Sequence, residues 1–123
     1  PLERGSGEDP YQLQRELQEM MGRLVGIFRV DGDLQEAIGE IAKLRARMPN
    51  LSVTGGRVYN PGWNLVFEIR NLLIVSEAIT RLALQRTESR GAHSRTDFPK
   101  TDPEWGRRNN IARRGKDGME VTL

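Results

Sequence analysis

Few residues of this 123-residue chain can do chemistry, and their types limit what that chemistry could be. There is no cysteine, which removes disulfides, thiolate metal sites and cysteine nucleophiles. A single histidine, His93, leaves too few imidazoles for a histidine-built metal centre. Ser89 and His93 could form a nucleophile and its base, but no nucleophile-elbow glycine pattern surrounds the serine. Glu16/Glu19 and Glu36/Glu40 are carboxylate pairs at helix-surface spacing, where nothing nearby would perturb their ionisation. Gly5/Gly7 and Gly55/Gly56 lack the strand–turn–helix setting that a phosphate-cradling loop requires. Taken alone, these residues offer no recognisable active site.

Charge points no more strongly to a ligand. Residues 1–85 carry 10 basic and 11 acidic groups, and residues 86–123 carry 9 basic and 6 acidic groups. The basic tail is interrupted by Glu88, Asp97, Asp102, Glu104, Asp117 and Glu120, which breaks any stripe that would track phosphates, so no nucleic-acid partner is expected. Mean hydropathy is -0.60, and the longest apolar run, Leu72 to Val75, falls far short of the roughly 20 residues a membrane-spanning helix needs. No signal-peptide pattern opens the chain. A soluble chain is the expectation. Pro1 and the Gly-Ser-Gly that follows read as a linker, which suggests a piece of a longer protein.

Three helices should position whatever the chain presents. Asp9-Pro10 supplies an N-cap and a first-turn proline, with Gln12 as capping-box partner, for a helix over 10–28. Leu13, Leu17, Met20, Met21, Leu24, Val25 and Phe28 recur at helical period on one face. Gly22 and Gly26 within it suggest the close approach of another backbone. Asp33 with Glu36 reads as a second capping box after a turn at Val30–Asp33, opening a helix over 33–48 that Pro49-Asn50 stops. Asn60-Pro61 opens a third helix over 61–89, with Gly91 as its left-handed terminator. That helix is apolar on several sides, the pattern of one held between partners.

Beyond Gly91 the composition turns polar and proline-bearing, so an extended arm should follow. Asn109–Arg114 and Met119–Leu123 flank Gly115-Lys116-Asp117-Gly118 as a short hairpin. The expected fold is all-α, a three-helix up-down-up bundle resembling a spectrin repeat, divided as linker 1–9, bundle 10–91 and arm 92–123.

The end of the third helix and the start of the arm carry the most specific text: Glu88-Ser89-Arg90-Gly91-Ala92-His93, then Arg95 and Asp97-Phe98-Pro99. This segment resembles the C-terminal helical domain of succinate dehydrogenase and fumarate reductase flavoprotein subunits. Leu17–Met21 running into Val25–Arg29, Arg70–Leu73 with Ser76–Ile79, and the tail through Asp102, Glu104 and Trp105 resemble it too, so the likeness covers nearly the whole chain. L-aspartate oxidases share the domain and are the near alternative, although Ala92 and Arg95 favour the succinate/fumarate branch. An independent helical interaction module is the alternative from another class.

The resemblance implies a parent oxidoreductase whose FAD and dicarboxylate chemistry lie in preceding domains, with no cofactor or catalytic residue in residues 1–123. It implies two partners, the flavin-binding domain of the same parent and an iron–sulfur subunit. The location implied is the cytoplasm, or the cytoplasmic membrane face through partner subunits, with membrane contact only indirect. Glu88, Arg90, His93, Arg95 and Asp97 are the residues expected at the interdomain interface. Arg90, just before the helix-ending glycine, should meet the negative end of the helix dipole and pair with a carboxylate. Self-association of the isolated chain over its apolar surface is a further expectation.

Overall fold

Asp9 opens the first helix, its carboxylate accepting from the Tyr11 amide at 3.0 Å with proline following it. A computed structural model describes residue 2, residues 6–116 and residues 118–123. Its elements in chain order are α1 (Pro10–Leu24), β1 (Phe28–Arg29), α2 (Asp31–Arg47), α3 (Pro61–Gln85), β2 (Ser94–Arg95), β3 (Ile111–Arg114) and β4 (Met119–Thr122). Single 3-10 turns lie at Met48–Asn50 and Trp105–Arg107. The three α-helices form the bundle, and β3 and β4 pair as the antiparallel hairpin, in register Ile111 to Thr122 and Arg114 to Met119. Asp117 and most of residues 1–5 of the expected linker lie outside the described residues.

The core is where the helical periods meet. Leu13, Leu17, Met20 and Leu24 of α1 face Leu34, Ala37, Ile41 and Leu44 of α2 and Leu65, Val66, Ile69 and Leu73 of α3. Removing each of the fully enclosed leucines and isoleucines from water contributes about 1.5–3 kcal/mol, which is what holds the helices side by side. Thr80, also fully buried, donates its hydroxyl to the Ser76 carbonyl at 2.8 Å and so leaves no unmatched donor inside. Glu8 bridges to Leu51, and Arg47 grips Glu8 at 2.8 Å and Glu16 at 2.5 Å, closing one end of the bundle.

Each helix differs from its sequence expectation at one end, and each difference has a local cause. α1 stops at Leu24, because the chain leaves the helix through Gly26 to lay Phe28–Arg29 beside the arm. A Cβ added at position 22 would meet no heavy atom within 4 Å, and one at position 26 would meet only the Gly22 carbonyl at 3.0 Å, so no second backbone approaches there. α2 begins at Asp31, inside the expected turn. Its N-cap, Val30, has no side-chain cap, and the Asp33/Glu36 box is not formed. The carboxylate of Asp97 serves instead, accepting from the Asp31 amide at 3.0 Å. Gln12 likewise does not cap α1 but donates to Glu16.

α3 ends at Gln85, four residues early, and Gly91 is not its terminator. With φ of +58°, Gly91 instead makes the tight turn that bridges Arg90 to His93. Asn60 does cap α3 as expected, accepting from the Trp63 amide at 3.1 Å. Its amide group also holds the irregular loop before the helix, donating to Thr54 and Gly56 carbonyls.

One face of α3 is buried, through Leu65, Val66, Ile69, Leu73, Ser76, Glu77, Thr80 and Ala83. Part of the remaining surface is uncovered. Leu72, Val75 and Ile79 fall on one helical stripe and remain 37, 54 and 43% exposed, and Phe67 and Ile74, on another side of the helix, are 53 and 46% exposed.

Candidate functional site

Two parallel strands bring the arm back onto the bundle. β1 pairs with β2 in the register Phe28 to Ser94 and Arg29 to Arg95, through hydrogen bonds from the Ser94 amide to the Ile27 carbonyl and from the Thr96 amide to the Arg29 carbonyl. That pairing places Glu88, Arg90, His93, Arg95 and Asp97 around the last turn of α3. In extended chain, residues two apart share a face, so Arg86, Glu88 and Arg90 meet.

Glu88 has no exposure to water. It accepts from Arg90 Nε at 2.9 Å and Nη2 at 3.1 Å, from Arg86 Nε at 2.9 Å and again from Arg86 Nη2, and from the Asp102 amide at 2.8 Å. Its cover is a layer of guanidinium groups and arm backbone, not the depth of the core. Arg90, then the Asp102 amide and Arg86, hold its carboxyl well below the usual range, at about 2, against the opposing effect of desolvation. Arg86 also donates to the Trp105 carbonyl at 3.0 Å and lies over the Trp105 ring. Arg90 reaches the Asp102 carbonyl at 3.0 Å. One carboxylate thus fastens the end of α3 to residues 102–105 of the arm.

Arg95 is fully enclosed as well. Its Nε and Nη2 grip Asp97 at 2.7 and 2.6 Å, and its Nη1 donates to the carbonyls of Ala83 at 3.0 Å and Leu84 at 3.1 Å. The Phe98 ring lies 5.0 Å from the guanidinium carbon. Asp97 is held at about 2 by Arg95 first and by the Asp31 amide second.

His93 is fixed in one neutral tautomer by its neighbours. An arginine can only donate, so Arg29 Nη1 at 2.8 Å requires a bare Nδ1, and Nε2–H then donates to the Arg86 carbonyl at 3.1 Å. Burial pushes the imidazole pKa down, and the charges of Arg29, Arg95 and Arg86 act the same way. Ser89 is not its partner. That hydroxyl lies 2.9 Å from the Phe98 carbonyl and 3.2 Å from the Arg95 carbonyl, and accepts from the Arg95 amide at 2.8 Å. Both members of the imagined nucleophile pair are committed to backbone. The arrangement fastens chain segments together, and Ser89 and His93 do not meet each other.

The structure therefore gathers all five expected site residues, and it adds Arg29, Asp31, Arg86, Asp102 and Trp105, none of which the sequence placed at the site. The helical reading to Ser89 hid part of the signal, since residues two apart do not face each other on a helix. Arg90 lies beyond the end of α3, so it does not meet the helix dipole as expected. Arg95 occupies that position. Among the described residues no group of metal-ligating side chains converges, and no helix is long and apolar enough to cross a membrane.

Residues 14–123 match the family described as Fumarate reductase flavoprotein C-term. The chain is 40% identical over 98 residues to the fumarate reductase flavoprotein subunit of Helicobacter pylori strain J99, covering 79% of this chain and 14% of that protein. An L-aspartate oxidase of Acinetobacter baylyi is 38% identical over 99 residues, 79% of this chain and 17% of the oxidase. Among solved structures, Mycobacterium smegmatis Sdh1 in complex with UQ1 superposes with a TM-score of 0.85 at 43% identity, over 99% of this chain and 21% of that one. The chain thus spans about a fifth or less of the length of these relatives. It belongs to the family of fumarate reductase and succinate dehydrogenase flavoprotein C-terminal domains.

Proposed function

We propose that residues 1–123 act as a non-catalytic docking domain of a parent flavoprotein. They pack against its flavin-binding domain, while FAD and the interconversion of succinate and fumarate reside in that other part. The observation that carries this reading is the bare apolar face of α3, with Leu72, Val75 and Ile79 uncovered on one stripe. In this reading Glu88, Arg90, His93, Arg95 and Asp97 hold the helix end and arm in the shape that docks. The parent joins an iron–sulfur subunit and meets a membrane only through partners. The residues 1–123 alone bind no FAD.

The test is a pair of substitutions in the intact parent. Arg90→Ala should lower flavin retention or thermal stability while the folded, flavin-loaded fraction keeps near-normal turnover. His93→Ala should behave likewise. A His93→Ala parent with full flavin content but turnover reduced by about 10²-fold, the effect of a lost general acid or base, would overturn the structural role. Saturable FAD binding by residues 1–123 alone would overturn the division of labour.

A further inference from the structure

One cation of the junction has no counter-ion. Glu88 is shared by Arg86 and Arg90, and Asp97 pairs with Arg95, but Arg29 has no carboxylate in contact with it among the described residues. Among the described residues its guanidinium donates only to the Gly26 carbonyl at 2.8 Å and to His93 Nδ1 at 2.8 Å. Half-buried, it is pushed down in pKa by desolvation, with no acid nearby to offset this. A partly desolvated, unpaired charge is costly, and its usual remedy is a carboxylate in bidentate contact.

Arg29 lines a shallow pocket with Ile79, Leu82, Arg86, His93 and Asn110. The pocket lies where the apolar stripe of α3 runs out, so Leu72, Val75 and Ile79 lead into it, and exposed Phe28 is next to Arg29 in β1. Apolar approach and cationic floor together fit an acidic side chain carried on an apolar segment. A free anion would need no such stripe.

We propose that Arg29 receives an Asp or Glu side chain from the part of the parent chain outside residues 1–123, which thereby seats its apolar neighbours along Leu72, Val75 and Ile79. This rests on the docking role above and names its anchor. The parent is by that reading several times longer than this chain, as the relatives are, and so has the segment to supply.

The experiment uses the full parent carrying R29K and a zero-length carbodiimide, which joins an amine only to a carboxylate in contact with it. Mass spectrometry should find the amine that R29K introduces coupled to one acidic residue outside residues 1–123. Coupling only to acids within residues 1–123, or none, overturns the proposal. If Lys43, Lys100 or Lys116 couples to outside acids while the R29K amine does not, the domain docks but not through this pocket. That result sinks the proposal and spares the docking role. Should R29K fail to fold, R29Q keeps a donor at the position of Nε, which serves the Gly26 carbonyl, and removes the charged fork. It should raise amide exchange over residues 72–82 of the parent by about tenfold, as a lost anchor lets that face open, and unchanged exchange overturns the proposal.

Discussion

Arg95 and Asp97, two residues apart in the arm, join the ends of two different helices. Arg95 Nη1 meets the last carbonyls of α3, at Ala83 and Leu84, and Asp97 Oδ2 meets the first amide of α2, at Asp31. The two ions grip each other at 2.6 and 2.7 Å. A cation thus stands at the negative end of one helix and an anion at the positive end of another. One otherwise unmatched amide of α2 and two otherwise unmatched carbonyls of α3 are satisfied at once.

Arg95→Lys should therefore be far from conservative. A lysine keeps the charge but has no planar fork to hold Asp97 while reaching two carbonyls. The enclosed pair would be broken on one side, a cost of about 3 kcal/mol, at the low end for buried pairs because Asp97 is partly wet. Chemical denaturation measures it. A loss under about 1 kcal/mol would show that the clamp is incidental.

Glu88→Gln leaves Arg86 and Arg90 facing an amide whose nitrogen can only repel them. Residues 102–105 should come away from α3 while the helices persist. Limited proteolysis would then cut the arm near Arg107 or Arg108 faster than in the unmodified chain, with helical circular dichroism unchanged. Equal cleavage rates would mean the arm is held by other contacts.

Stability should fall in two steps as the pH is lowered. The imidazole of His93 is depressed in the folded chain, so the unfolded chain binds its proton first, and stability drops as the pH falls below about 6.5. Glu88 and Asp97 sit at about 2 when folded against 4.5 and 3.8 otherwise, so their contribution is complete above about 5 and is lost from there towards pH 2. Urea midpoints across this range would trace both steps. His93→Gln should erase the upper step and keep the lower, and a variant that retains both would place the upper one elsewhere.

Much of the bundle was legible in its sequence, because Leu13, Leu17, Ile41, Ile69 and their neighbours recur at helical period between strong caps at Asp9 and Asn60. The ends were not, and for one reason. Each is decided by a residue distant in sequence: Asp97 caps α2 from 66 positions away, Arg95 caps α3, and β2 draws Phe28 and Arg29 out of α1. The motif from Glu88 to Pro99 was visible as text, and the alternation of Arg86, Glu88 and Arg90 carried the cage. It became readable only once those residues were known to be extended.

Two positions on α3 separate what folds the domain from what it presents. Ile69 is fully buried against α1 and α2, and Ile69→Ala should cost about 3 kcal/mol through lost burial and the cavity left behind. Val75 is 54% exposed, and Val75→Ala should change the isolated chain by no more than about 0.5 kcal/mol. In the intact parent the order of importance shifts, since Val75 then lies under a partner. A Val75 effect as small in the parent as in the isolated chain would argue that the stripe stays in water.

The same stripe predicts how residues 1–123 behave when alone. The exposed row of Leu72, Val75 and Ile79 is an apolar surface of the kind that marks an interface. Without its intended cover, that surface can be removed from water only against a second copy. Weak, concentration-dependent association should follow, visible by sedimentation equilibrium below about 1 mM, the range of an interaction worth roughly 4 kcal/mol. Replacing Val75 and Ile79 together by serine should abolish it without unfolding the bundle, because neither side chain belongs to the core. High salt should strengthen the association, as burial of apolar area does and pairing of charges does not. A chain that remains monomeric at that concentration, or a serine pair that associates as before, would show that the bare face of α3 is not sticky enough to serve as a docking surface.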